Sequence, residues 1–148
     1  MANTLWNERD RRSLDERLAR LTPDCRGHWG SLDAPRMLCH ITDAVAMATG
    51  DVRCAPKASP LRYPLVNSLV MFYLPWPKGV PTAPELLTRQ PEAWDTEVAR
   101  FRAAVATLIK RPRNGPWPVH VVFGKITGAQ WGRLLYRHTD HHFTQFGV

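Results

Sequence analysis

Three of the six histidines fall within five positions near the end of the chain, in Tyr136-Arg137-His138-Thr139-Asp140-His141-His142-Phe143. On a helix each residue advances by about 100°, so His138 and His142 share a stripe about 40° apart, while His141 and His142 diverge by about 100°. His138 and His142 can therefore present two ring nitrogens to one point. A third histidine, His40, lies far upstream in Met37-Leu38-Cys39-His40-Ile41-Thr42-Asp43, within an apolar helical stripe, where its ring faces the core or something held in the core. Three neutral imidazoles make a donor set for a divalent metal that leaves one or more coordination positions for water or substrate. A metal so held lowers the pKa of a bound nucleophile and polarises an electrophile, so the chemistry on offer is activation of a thiol or of water.

The neighbouring residues narrow this reading. A zincin-type protease places a glutamate directly after the first histidine as general base, and Thr139 stands there instead. Asp140, two positions after His138, points away from the His138/His142 face and is expected to be a solvated or inter-helix charge. His141 competes with His142 as the partner of His138, at a spacing of i,i+3. Asp43 suits two roles: holding a ligand imidazole or taking a proton from bound water, or pairing with one of the many arginines. His120 either lines the site or packs beside Phe123, and His28 belongs to a loop. Cys39 is about 100° from His40 on a helix, which makes it a core residue rather than a nucleophile paired with that imidazole.

The elements that must position these residues follow from periodicity and end signals. Residues 4–21 set Leu5, Leu14, Leu18 and Leu21 among charges, as an amphipathic helix stopped by Thr22-Pro23-Asp24. Asp33 with Pro35 starts a second helix that Gly50 ends. Its apolar stripe is Met37, Ile41, Ala44, Val45 and Ala48, and His40 lies within it. Residues 61–74 are apolar on most sides and predict a third, well-buried helix ending at Pro75-Trp76-Pro77. Residues 78–91 form an ordered loop over one end of the molecule. Residues 92–110 repeat Trp94, Val98, Phe101, Val105 and Leu108 as a fourth helix. Residues 116–124 resemble a short strand but have no partner elsewhere in the chain, so they are expected to be a connection packed down through Trp117 and Phe123. Thr127 and Gln130 have capping-box spacing, which starts the last helix and carries it to about Gln145. Four or five helices with long connections make an all-α bundle, a fold that builds sites from inward-facing side chains.

The 148 residues fit one domain, 1–148, with 44% hydrophobic and 22% charged residues, long enough to form a core without a structural metal. Cys25, Cys39 and Cys54 are odd in number and show no C-x-x-C spacing, which argues against disulfides and a cysteine-rich zinc site. With no signal-peptide core in the first residues and no run apolar enough for a membrane span, a cytoplasmic protein is expected. The net charge of +7 raises a nucleic-acid-binding module as a weaker reading, but the basic residues are scattered among acids.

Taken together, His40 and the His138-x-x-x-His142 pair resemble the signature of the DinB/YfiT-like superfamily of four-helix-bundle metal proteins. Residues 77–85, 123–127, 130–134 and 136–147 are similar to an uncharacterised bacterial subgroup of that superfamily. The resemblance implies an up-down-down-up bundle, in many members a homodimer, with zinc, nickel, iron or manganese at the three histidines. It also implies a metal-dependent transferase for a low-molecular-weight thiol, or a hydrolase. The alternative is a metal-binding or sensor protein without catalysis. Three imidazoles suit zinc, nickel, iron and copper alike.

Overall fold

The computed structural model describes residues 2–76, 78 and 82–148. Among these residues there are five α-helices, two short 3-10 turns and no strand, so the architecture is all-α. Of the 77–85 stretch that carried part of the resemblance, Pro77, Gly79, Val80 and Pro81 lie outside the described residues. Among the described residues no helix is long and apolar enough to cross a membrane. Buried apolar side chains from Leu5 to Phe146 form one cluster.

Helix α1 (Glu8–Leu18) starts later than its leucine spacing predicts, because Asn7 takes the cap position and accepts bonds from the Arg9 and Asp10 amides. The preceding residues have a different task. Leu5 N donates to Gly132 O at 3.0 Å and the Trp6 indole donates to Gly128 O at 2.8 Å, which lays the N-terminal segment across the last helix. Glycine makes this approach possible: a Cβ on Gly132 would sit 2.2 Å from Trp6 Nε1. Gly132→Ala should therefore destabilise the protein by about 1–3 kcal/mol through overpacking, although alanine is favoured over glycine inside a helix by about 1 kcal/mol. Urea unfolding decides the sign, and a stabilised Gly132→Ala variant would refute the notch.

Helix α2 (Ala34–Thr49) has the predicted ends, Asp33 accepting from Arg36 N and Gly50 closing the helix at φ 89°. It is buried on nearly every side, including Leu38, Cys39, Thr42 and Met47 beyond the expected stripe, since it packs against both of the later long helices.

Helix α3 (Pro64–Phe72) overturns an expectation. It is shorter than 61–74 and turns only Asn67 and Met71 fully inward, while Leu65 is 88% exposed and Tyr63 and Leu69 also face outward. An all-round apolar helix carries no periodic signal for which side is covered, and here the covering long helix is the final one. Its C-terminal carbonyls are held from that helix: Arg137 donates to Met71 O at 2.6 Å and to Leu74 O.

Helix α4 (Trp94–Ile109) buries Phe101 and Leu108 as predicted, with the fully buried Glu97 on the same face. Residues 116–124 form the expected connection, with Phe123 in the core and Trp117 against Gly128. Helix α5 (Gly128–Gln145) begins with both bonds of the capping box, Gln130 N to Thr127 Oγ1 at 3.2 Å and Thr127 N to Gln130 Oε1 at 2.8 Å.

Candidate metal centre

Helices α2 and α5 lie side by side, and the histidines on their facing stripes converge. His40 Nε2 stands 3.0 Å from His138 Nε2, and His142 Nε2 stands 3.1 Å from the same atom. The ring centroids are 4.8 to 4.9 Å apart. A neutral imidazole nitrogen carries either one proton or one in-plane lone pair, so His138 Nε2 has to share a single proton or lone pair between its two neighbours. The cluster therefore gathers more lone pairs at one point than its ring protons satisfy one for one. Around a tetrahedral metal with M–N bonds of ~2.0–2.1 Å, ligand nitrogens stand about 3.3 Å apart, close to the observed spacing. The three histidines lie close enough together to hold a divalent metal, and within the described residues they are the one such group of histidine, cysteine and carboxylate side chains.

Their surroundings keep them in the ligating form. Burial pushes His40 down to about 4, and the Leu86 carbonyl opposes the shift only partly. That carbonyl is outside hydrogen-bond geometry, so His40 Nδ1 is buried without a partner among the described residues. His142 is lowered to about 3 by burial and by the neighbouring His40, and His138 is lowered well below its ordinary value for the same reasons. At neutral pH all three are uncharged, with lone pairs available to a metal. His40 is buried, whereas His138 and His142 keep part of their surface open to solvent, and Trp76 leans over His138 with the ring centroids 5.9 Å apart.

The other candidates lie elsewhere. His141, about 100° around the helix, turns its ring toward Trp29 and Trp76 at 5.9 and 6.0 Å, outside the nitrogen cluster. Asp43 is paired with Arg89 at 3.0 Å and does not contribute to the shift of His40, which burial causes. Asp140, as expected, makes an inter-helix pair with Arg17. His28 sits in its loop, its amide bonded to Gln145 O at 2.8 Å. Cys39 is a buried core thiol, pushed up to about 12 by burial despite the nearby Arg89 guanidinium, and is therefore no thiolate nucleophile.

His120 lies outside the group of three converging nitrogens and organises its own turn. Its Nδ1 accepts from the amides of Val122 and Phe123, both at 3.1 Å, and its ring packs on Phe123 and Trp131. Burial lowers it to about 4. A histidine with a depressed folded pKa takes up its proton more readily when unfolded, so its contribution is present above about pH 6.5 and is lost as pH falls toward 4. Asparagine can supply the same acceptor without titrating, so His120→Asn should flatten the fall in stability between pH 6.5 and 4 by up to about 1.4 kcal/mol per pH unit. An unchanged slope in denaturant titrations across that window would contradict this.

Two features escaped sequence reasoning. One is the buried charge network of Arg89 and Glu97, since a lone glutamate on an amphipathic helix looks solvent-facing. The other is Gln145, whose Oε1 lies 2.8 Å from His142 Nδ1; its i+3 position relative to His142 was a usable signal. Compared with protein-family models, curated proteins and solved structures, the chain matches none.

Proposed function

We propose that the chain binds a divalent transition metal through His40, His138 and His142 and uses the remaining coordination positions to activate a small-molecule thiol or water, in the manner expected of a DinB/YfiT-like protein. The supporting observation is the approach of two imidazole nitrogens to His138 Nε2 at 3.0 and 3.1 Å, which gathers more lone pairs at one point than one-to-one hydrogen bonding uses. Three protein ligands leave a fourth position, and the partly open His138 and His142 leave a route to it. The metal, when bound, would supply Lewis acidity and a lowered nucleophile pKa. This chain's residues would supply neutral nitrogens in fixed orientation and an aromatic cover from Trp76. Thiol transfer is placed ahead of hydrolysis by the family resemblance in the metal-ligand motif.

The test is elemental analysis of protein purified without added metal, followed by thiol-transfer and hydrolysis assays with the metal found and several low-molecular-weight thiols. Stoichiometric metal with turnover supports the proposal. Metal without turnover on any substrate class would favour a sensor or storage role. Failure to bind zinc, nickel, iron or manganese would remove the basis for both.

A further inference from the structure

We infer that Gln145 is a positioning residue that forces one tautomer on His142, with the backbone of the Trp29 loop as its anchor. This deepens the metal reading of the site and rests on it for its functional meaning. Gln145 is 4% exposed and lies one turn beyond His142 on α5. Its amide Nε2 donates to the backbone carbonyl of Trp29, and its Oε1 lies 2.8 Å from His142 Nδ1. The directions of these bonds are not free. A backbone carbonyl can only accept, so the nitrogen end of the amide must face Trp29 and the oxygen end must face the imidazole. An amide oxygen can only accept in its turn, so His142 Nδ1 must carry the ring proton. The lone pair of the neutral ring is then on Nε2, the atom that meets His138 Nε2 at 3.1 Å.

The loop is shaped for this contact. Gly30 has φ +79°, and a Cβ there would fall 2.6 Å from Gln145 Nε2; the amide fits because no side chain is present. The same loop grips α5 again through His28 N to Gln145 O at 2.8 Å, and the Arg26–Asp33 bridge ties it to the N-cap of α2. One short loop thus braces the ends of both helices that carry the histidines. A hydrogen bond to the non-ligating nitrogen fixes ring orientation and raises ligand basicity, and loss of such a partner lowers metal affinity by about 10–100-fold.

The experiment uses the full chain. Long-range 1H–15N correlation spectra of the metal-free protein report the His142 tautomer, and chelator-competition titrations with Zn2+ report affinity. The expected result is His142 protonated at Nδ1 in the wild type, a mixed tautomer in Gln145→Met, and Zn2+ affinity about 10–100-fold weaker in that variant. Gln145→Glu restores an acceptor to Nδ1–H but sets its other oxygen against the Trp29 carbonyl, so it should restore the Nδ1-protonated tautomer with only part of the affinity, a tautomer effect that a merely packing role would not produce. Gly30→Ala, which displaces the amide while leaving the sequence of α5 unchanged, should reproduce the loss and serves as the second variant if Gln145→Met does not fold. A wild-type His142 protonated at Nε2, or Gln145→Met binding Zn2+ within about twofold of wild type, overturns the inference. Should the wild type bind no Zn2+, the metal reading fails while the tautomer still decides the role of Gln145.

Discussion

His138→Ala is expected to abolish stoichiometric metal binding, because His138 Nε2 is the atom both other imidazoles approach. Two nitrogens on separate helices would remain, without the third vertex that holds a metal with an open position. The effect on stability separates this outcome from simple unfolding. Wild-type protein in metal at about 1,000 times Kd should gain about 4 kcal/mol over its metal-free form, seen as a rise in Tm. In His138→Ala that metal-dependent rise should vanish, and the difference between metal-loaded and metal-free protein reports this whatever the variant's own metal-free Tm. A variant that kept a full metal-induced shift would exclude His138 as a ligand.

Glu97→Ala should be the most damaging single substitution for stability, at about 3–5 kcal/mol. The carboxylate is fully buried and accepts from Arg89 Nη1 at 2.7 and 2.9 Å, from Arg100 Nη1 at 3.0 Å and from the Glu92 amide at 2.9 Å. Burial alone would raise its pKa, but the Glu92 amide and the Arg89 guanidinium outweigh it, and the group is held below its ordinary value of 4.5. A depressed carboxylate contributes stability above its unfolded pKa and loses it as pH falls through the folded one, so the network should weaken in acid below about pH 4.5. Truncation leaves Arg89 beside Asp43 with one Nη2 already unpartnered, and frees the segment whose Leu86 carbonyl borders His40. Equilibrium unfolding in denaturant measures the loss, and a cost under about 1 kcal/mol would show that neighbouring groups or water replace the carboxylate.

What could be read from the sequence was governed by local rules. The Asp33 cap, the Gly50 stop and the Thr127/Gln130 box each depend on a few adjacent residues, and each is where the spacing put it. The His138/His142 stripe followed from helix geometry alone. Convergence of His40 on that pair is tertiary, and the residues suggested it only through its place on an apolar face. Apolarity misled where it served purposes other than helix burial. Leu5 and Trp6 extended the predicted first helix, although they dock on the glycine face of α5. The leucines of α3 suggested a core helix, although both, Leu65 and Leu69, face outward. Glu97 broke the pattern in the opposite sense, as a charge two of whose partners, Arg89 and the Glu92 amide, come from a loop that periodicity cannot place.

The seat of Trp6 on Gly128 also sets an order of events during synthesis. The two residues are 122 positions apart, which at a translation rate of about 5–20 residues per second separates their appearance by roughly 6 to 25 s. Until α5 is made, the N-terminal segment has nowhere to dock and His40 has neither partner. The nascent chain must carry those apolar side chains unsheltered for that interval, and a metal ion can find its complete set of donors only once synthesis has reached the last helix.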